Sequence, residues 1–294
     1  MIMNVMINNK MRQFIILTCF FLWTCDNNQV DINISGCIDI NACNYVEDSN
    51  IDDGSCIYPQ ENYDCDGICI TEDACGNCQG ETIEYIQIFN DCYHIETTTS
   101  LDLSNQEITY IPDTVSELVN LNSLNLGFNQ ITTIPESIGE LVNLKKLILT
   151  ANELSTIPNI IGDLTDLDTL YLLFNSIQNL PETIGDLTNL SLLDLDWNEL
   201  TILPDEIVNL SNLKTLNLGN NQITALPDSI GNFVNLEKLF IDNNNITSLP
   251  ESICGIPANC YVIATGNQLC DKYKYACIDW GWNDLQWGQQ DCQQ

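Results

Sequence analysis

The feature that most constrains this chain is a unit of 23 residues that recurs between about residues 101 and 269. One asparagine returns at the same place in seven successive units: Asn129, Asn152, Asn175, Asn198, Asn221, Asn244 and Asn267. A proline keeps the same period: Pro112, Pro135, Pro158, Pro181, Pro204, Pro227 and Pro250. A fixed period of this length predicts a solenoid, because a single unit cannot bury its apolar face without stacked neighbours.

Alternating leucines precede each repeated asparagine, as in Leu124, Asn125 and Leu126. A period of two is that of a β-strand buried on one face. Eight such segments recur, at residues 101–103, 124–126, 147–149, 170–172, 193–195, 216–218, 239–241 and 262–264. We therefore expect eight parallel strands, about 4.8 Å apart.

The asparagine and proline predict how each coil turns after its strand. Asparagine carries both an acceptor and two donors, so a buried column of asparagines can satisfy the backbone groups of the turns. The proline then begins an extended turn towards the opposite side of the coil. There a short helical or irregular segment, such as residues 136–141, is expected to close the coil.

The consensus L-x-x-L-x-L-x-x-N-x-I/L-T-x-L/I-P-x-x-I-G-x-L-x-N resembles that of leucine-rich repeat proteins. The similarity is to the 23-residue type found in Shoc-2-like proteins, in plant intracellular Ras-group-related proteins and in many bacterial chains. The resemblance implies an α/β solenoid, a horseshoe of about eight coils with a parallel β-sheet on its concave face. A small disulfide-rich region is expected to precede it.

Charge excludes several classes of partner. The chain has 41 acidic and eight basic residues, a net charge of −33. Two of the basic residues, Lys10 and Arg12, lie in the N-terminal segment, so the rest of the chain has lysines but no arginine. Nucleic acid is excluded, because few basic groups remain to neutralise phosphates. The same lack argues against anionic lipid. The charge itself predicts solubility, and it would suit a cationic partner, such as a basic protein, or one bridged by divalent ions.

Residues 1–25 resemble an export signal. Lys10 and Arg12 precede an apolar run at residues 14–23, which is too short to span a bilayer. The run ends near Cys25, in a context that resembles a bacterial lipoprotein box and would make Cys25 the lipid anchor. Ordinary secretion, with cleavage nearby, and the absence of export remain the alternatives. Any membrane association is expected only through such an anchor.

Residues 26–83 form a cysteine-rich region, and eight cysteines lie between Cys37 and Cys92. Residues 36–56 and 64–80 resemble two short modules of secreted bacterial proteins, which act as stalks or spacers. An even cysteine count in an exported chain favours four disulfides. The alternatives are a zinc site or a redox pair at Cys75 and Cys78, and a loose calcium loop in the acidic run at residues 48–54.

Two capping segments are expected around the repeats. At residues 84–100 the alternation in residues 85–92 predicts a capping strand, and His94, the one histidine, is assigned to this cap or to the surface. Residues 270–294 resemble the cysteine-bearing C-terminal caps of extracellular leucine-rich repeat proteins. Trp280, Trp282 and Trp287 are expected to cover that end, with a sugar-binding platform as the alternative.

Two cysteines near the end of the repeats are predicted to pair. Cys254 and Cys277 are 23 residues apart, so one repeat carries the first onto the place of the second. Equivalent atoms of successive coils lie roughly 5 Å apart, within the Cα separation that a disulfide accepts. The remaining C-terminal cysteines are odd in number, so we expect a free thiol or a link to the N-terminal region.

No catalytic constellation is visible in the sequence, and neither a metal nor a cofactor is implied. The chain has one histidine, no glycine-rich phosphate loop, and no serine or cysteine beside a base. We therefore expect a binding or structural protein rather than an enzyme.

The solvent-facing strand positions and the position before each asparagine are where a repeat protein can vary without damage. Several large side chains gather there in the middle coils, and exposed aromatic clusters are typical of binding hot spots. The candidate partner-binding residues are Phe128, Ile148, Tyr171, Phe174, Asp194, Trp197 and Phe240. One alternative is that large residues are merely tolerated before the asparagine. Another is a structural or adhesive surface protein, whose repeats are a spacer or which binds glycan at the tryptophan-rich end.

Overall fold

The computed structural model describes residues 34–59, 64–66, 75–76, 84–269 and 277. The chain divides into two compact units, residues 1–71 with 78–80, and residues 72–77 with 81–294. The second unit contains the repeats. The predicted export segment at residues 1–25, including Cys25, lies outside the described residues.

The repeats form one parallel sheet of eight strands, which confirms the predicted solenoid. The strands are Ser100–Asp102, Ser123–Asn125, Lys146–Ile148, Thr169–Tyr171, Leu192–Asp194, Thr215–Asn217, Lys238–Phe240 and Tyr261–Ile263. Each pairs with the next without a shift in the repeat register, as Leu124 does with Leu147. The strands begin one residue earlier than predicted, because the residue before the first leucine also pairs, for example Ser100 with Ser123.

Short 3-10 helices close the coils on the side opposite the sheet. They are Asp113–Glu117, Glu136–Glu140, Asn159–Asp163, Glu182–Asp186, Asp205–Asn209, Ile230–Asn232 and Glu251–Gly255. The repeated proline precedes them in an extended conformation, with φ −72° and ψ 155° at Pro135. The ring fixes φ near this value, so the proline directs the chain into the helix.

The asparagine column bonds neighbouring coils together. The Oδ1 atom of Asn152 accepts the backbone N–H of Ile131 in the preceding coil at 3.0 Å. Its Nδ2 donates to the carbonyls of Leu126 at 2.9 Å and Leu149 at 3.1 Å. Equivalent bonds recur to the last coil, where Asn267 is 1% exposed. The column therefore satisfies backbone groups that lie out of water.

Val208 interrupts a column of close-packed glycines on the helical side. A side chain at Gly185 would collide with the carbonyl oxygen of Glu206 in the next coil, so only glycine allows the coils to approach this closely. Val208 occupies the equivalent place in the following coil. The 3-10 helix of the next coil, Ile230–Asn232, is the shortest of the seven described.

The N-terminal cap is a β-hairpin rather than the single strand predicted for residues 85–92. Strand Tyr85–Ile88 turns back and pairs antiparallel with strand Asp91–His94. The alternation seen in the sequence belongs to the first strand, whose Ile86 and Ile88 are buried in the core of the repeats. Phe89, in the turn, adopts a positive φ of 55°, which reverses the chain.

The cysteine-rich unit is held by cross-links and by a short parallel pairing of Ser35–Gly36 with Ile51–Asp52. Its described disulfides are Cys37–Cys56 and Cys43–Cys65, with Cα separations of 4.8 and 5.0 Å. In the second unit Cys75 is bonded to Cys92. Cys75 is therefore neither a zinc ligand nor half of a redox pair with Cys78, which lies outside the described residues.

At the C-terminal end Cys254 and Cys277 form a disulfide with a Cα separation of 5.4 Å, the pairing that the one-repeat spacing predicts. Cys260 is a buried free thiol, and burial raises its pKa to about 12, which makes it a poor nucleophile. Of the predicted C-terminal cap, the three tryptophans, Cys270 and Cys292 lie outside the described residues.

A second asparagine column runs along the solvent-facing side of the coils, after each 3-10 helix. Asn143 donates from Nδ2 to the carbonyl of Val119 at 2.8 Å, and Asn189 does the same to Thr165 at 2.9 Å. Asn120, Asn212 and Asn235 make the equivalent bond. Asp166 replaces asparagine at the end of the third coil, and a carboxylate has no N–H to donate to the carbonyl of the coil before it.

We predict that Asp166→Asn stabilises the protein by about 0.5–1.5 kcal/mol, because it restores a hydrogen bond of this column. The measurement is denaturant unfolding at neutral pH. The matched control is Asn189→Asp, which should destabilise the protein by removing the same bond one coil further on. Equal stability of the wild type and both variants would show that the outer column contributes nothing.

Candidate functional site: the concave face

The concave face, by which we mean the solvent-facing side of the eight-stranded sheet and of the residues that follow it, carries the candidate residues. Phe128 is 64% exposed, Phe174 50% and Trp197 53%, although each adjoins a fully buried leucine core. Ile148, Tyr171, Asp194 and Phe240 are half-buried on the same face. By contrast Leu195, which points inward two residues before Trp197, is 0% exposed.

The residue before each asparagine of the buried column, and before Gln106 in the first coil, has a left-handed backbone. The sequence analysis missed this feature. Positive φ values of 46° to 68° recur in eight coils at Asn105, Phe128, Ala151, Phe174, Trp197, Asn220, Asn243 and Gly266. Glycine and asparagine are usual at such angles, whereas bulky residues are disfavoured there. The asparagines and the glycine in this column were the signal that could have revealed it. Phenylalanine and tryptophan therefore occupy positions where the backbone favours smaller residues.

The structure brings Phe174 and Trp197 together. Their rings stack with centroids 5.8 Å apart and planes inclined by 23°. Tyr171 lies in the same coil as Phe174 and has the ammonium of Lys146 5.9 Å from its ring centroid. Ile148, Tyr171, Phe174 and Trp197 thus lie in three successive coils of one face. Phe240 lies further along the sheet, with its ring centroid 6.2 Å from that of Tyr261.

Acidic side chains gather beside Trp197. A Cβ atom at Gly219 would lie 2.9 Å from Oδ1 of Asp196 and 3.1 Å from Oδ1 of Asp242. The two carboxylates therefore lie on either side of this glycine. Asp196 accepts a hydrogen bond from Asn220 Nδ2 at 2.9 Å. Burial raises the pKa of Asp242 above its usual value, with a smaller contribution from the charge of Asp196, whereas hydrogen bonds from its own N–H and from Asn243 oppose the shift. The sequence analysis selected Asp194 on this face but missed Asp242.

Asp194 and Asp102 occupy the same strand position in different coils and have opposite electrostatic environments. Burial raises the pKa of Asp194, although the N–H of Asp196 donates to its Oδ1 at 3.1 Å. Asp102 is exposed, and hydrogen bonds from the hydroxyl and the N–H of Ser104 lower its pKa. Burial, and the residue two places further on in the same coil, decide the sign of the pKa shift, and not the strand position itself.

Two other sequence candidates serve local structure. In the acidic run at residues 48–54, Asp52 accepts the N–H of Gly54 and Asp53 accepts that of Ser55, which are turn contacts. Among the described residues no group of three or more histidine, cysteine or acidic side chains is arranged to hold a metal ion. His94 accepts the N–H of Glu96 at its Nδ1 and packs edge-on against Tyr85, so it stabilises the cap.

The fold and this surface define a repeat solenoid that displays one face of a parallel sheet. The chain is a leucine-rich repeat protein: residues 91–199 and 136–220 match a leucine-rich repeat region, and residues 211–255 match paired leucine-rich repeats. No curated protein matches the whole sequence significantly. In the described part of the chain, no helix is long and apolar enough to cross a membrane.

Solved structures of similar fold come from bacteria and plants. A leucine-rich repeat protein of Leptospira interrogans is 33% identical with a TM-score of 0.53, over 59% of this chain and 50% of that one. Internalin C2 of Listeria monocytogenes is 30% identical with a TM-score of 0.53, over 59% and 74%. The ectodomain of the Arabidopsis thaliana receptor kinase GASSHO1/SCHENGEN3, in complex with CASPARIAN STRIP INTEGRITY FACTOR 2, is 28% identical with a TM-score of 0.50, over 55% and 23%.

We predict that Asp194→Asn raises the melting temperature at pH 7. The folded pKa of Asp194 is raised, so ionisation at neutral pH costs folding free energy, and this cost disappears below the ordinary value of 3.8. Asparagine keeps the oxygen that accepts the N–H of Asp196. The gain should therefore shrink towards about pH 3.

Asp102→Asn is the matched control and should act with the opposite sign. Its folded pKa is lowered, so its carboxylate stabilises the fold above 3.8, and this stabilisation is lost as pH falls through the folded pKa. The variant should lower the melting temperature at pH 7. The same sign for both variants would show that burial does not distinguish the two carboxylates.

Proposed function

We propose that this protein is an exported or surface-displayed, non-enzymatic binding module that recognises a protein partner through its concave face. The binding area consists of Phe128, Ile148, Tyr171, Phe174, Asp194, Trp197 and, at its edge, Phe240. In this proposal the residues selected from the sequence form one surface, and the stack of Phe174 on Trp197 is its centre.

One observation carries the proposal. Phe128, Phe174 and Trp197 are half-exposed or more, and all three have a left-handed backbone at which a bulky residue costs free energy. The core does not require them, because the equivalent places hold asparagine, alanine or glycine in other coils. Exposed aromatic residues at positions unfavourable to them are explained by contact with a partner, since aromatic anchors dominate the energetics of protein interfaces.

Charge supports a basic partner. Asp194 and Asp196 lie in the same coil as Trp197, Asp242 lies beside Asp196 across Gly219, and Lys214–Glu237 is the one ion pair within the described residues. Most carboxylates there are thus not neutralised by lysine, and complementary charge accelerates the encounter with a cationic protein. The complex of the plant ectodomain with its named factor supports protein recognition by this fold in general.

The disulfides support a location outside the reducing cytosol. Cys37–Cys56, Cys43–Cys65, Cys75–Cys92 and Cys254–Cys277 are described in the chain, and such bonds persist mainly in oxidising compartments. Export through residues 1–25, followed by lipid attachment at Cys25 or release by cleavage nearby, agrees with this location. Neither step involves described residues.

We predict that Trp197→Ala weakens partner binding by about 2 kcal/mol, as expected for a central aromatic anchor. It should leave the free energy of unfolding nearly unchanged, because Trp197 is 53% exposed. Leu195→Ala should do the reverse and cost about 2–5 kcal/mol of stability through the cavity left in the core. The measurements are affinity capture on the immobilised protein, titration with the recovered partner, and denaturant unfolding.

Asn243→Ala is the control for Trp197→Ala, because it removes a polar side chain from the same column two coils further on. It should bind within about 0.5 kcal/mol of the wild type, as surface changes outside the contact do. Unchanged affinity in folded Trp197→Ala would refute the concave site. Glycan binding retained by that variant would instead favour the adhesive alternative at the tryptophan-rich C-terminal end.

We predict that the mature protein begins at or near Cys25. Mass spectrometry of the N-terminal peptide should show that Lys10 and the apolar run are absent. If Cys25 is lipidated, Cys25→Ser should release the protein from membranes, because several acyl chains are needed for stable anchoring. A cytosolic protein that retains residues 1–25 would contradict export.

A further inference from the structure

An aromatic row on the concave face has a gap at one coil. Hydrogen bonds place Phe128, Ala151, Phe174 and Trp197 in four successive coils at equivalent positions, since Phe128 N–H bonds to Thr150 and Ala151 N–H bonds to Leu173. Three of the four side chains are aromatic rings, and Ala151 contributes only a methyl group. The row therefore lacks one ring between Phe128 and Phe174.

The gap between Phe128 and Phe174 is wide enough for one planar group. Successive coils are separated by roughly 5 Å, so Phe128 and Phe174, which are two coils apart, are separated by about 10 Å. A planar group between two rings needs about 3.5–4 Å of contact distance on each side. Phe174 already stacks one face on Trp197 and is still 50% exposed. Ala151 lies in the coil on the other side of Phe174 from Trp197, and we call the space over it the Ala151 slot.

The negative charge of the chain indicates which kind of planar group the Ala151 slot would bind. A guanidinium is planar, stacks on aromatic faces and is cationic. The molecule carries a net charge of −33, and exposed Glu153 follows Ala151 by two residues in the same coil. Lys146, which faces Tyr171, shows that this sheet already places a cation against an aromatic ring. An arginine thus matches both the shape and the charge of the slot better than a neutral ring does.

We infer that the Ala151 slot receives an arginine side chain from a basic segment of the partner protein, stacked between Phe128 and Phe174. The inference rests on the proposed function, because it assigns one contact within that binding face. The acidic side chains beside Trp197, two coils away, attract the rest of the same basic segment.

The inference is tested with a variant whose side chain occupies the Ala151 slot. In Ala151→Phe the added ring completes the row, and the fold should tolerate it because Phe128 and Phe174 adopt the same left-handed backbone. Ala151→Gly is the control that keeps the slot open at this backbone angle. The probes are two labelled peptides of equal length and charge, in which serine alternates with arginine or with lysine, and a neutral peptide with tryptophan in place of arginine. Binding is measured by fluorescence polarisation at roughly physiological salt.

The wild type and Ala151→Gly should bind the arginine peptide at least about fivefold more tightly than the lysine peptide, since only guanidinium stacks as a plane. Ala151→Phe should reduce this preference to within about twofold while leaving lysine-peptide binding unchanged. An unchanged preference in Ala151→Phe, or no binding of either charged peptide to the wild type, would overturn the assignment. Tighter binding of the tryptophan peptide would also overturn it, in favour of an apolar ring.

Failure of the slot and failure of the binding face give different results. In one result, Trp197→Ala abolishes capture of the natural partner while Ala151→Phe retains the preference for the arginine peptide. That result would support the concave binding site and refute the assignment of arginine to the Ala151 slot. If Trp197→Ala leaves capture intact, the proposed function itself falls. Unfolding curves of all variants, compared with the wild type, verify that each difference reports binding rather than loss of structure.

Discussion

The hydrogen bonds of the buried asparagine column are the interaction on which the rest of the structure depends. Each asparagine accepts an N–H from the preceding coil and donates to carbonyls of both its own and the preceding coil, as Asn152 does with Ile131, Leu126 and Leu149. Without these bonds the turn after every strand would bury unpaired backbone groups. The column therefore allows a coil of only 23 residues to close around a leucine core.

The same turn determines what the concave face displays. Each asparagine of the buried column follows a residue with a left-handed backbone. This turn directs the asparagine side chain into the core and the preceding side chain towards solvent. In this chain that position holds large rings in the second, fourth and fifth coils and alanine in the third. A requirement of folding thus creates a column of exposed positions, and the residues placed there set the binding properties that we propose.

Electrostatic differences along the face arise from burial and from the residue two places further on in the same coil. Asp102 and Asp194 are equivalent in the repeat, yet one has a lowered and the other a raised pKa. Asp102 lies in the first coil and is hydrogen-bonded by Ser104, whereas Asp194 lies in the middle of the sheet beside Asp196. A binding face built from such repeats can therefore combine apolar and acidic areas although every coil has the same backbone.

The period, the number of strands, the inward and outward alternation and the register that pairs Cys254 with Cys277 could all be predicted from the amino-acid sequence. These properties repeat, so every coil supplies the same evidence, and the leucine spacing alone defines the core. Only the tertiary structure decided the stack of Phe174 on Trp197, the burial of Asp194 and the hairpin that caps the first coil. Each depends on which side chains adjacent coils bring together, and that contact information is absent from the pattern of a single repeat.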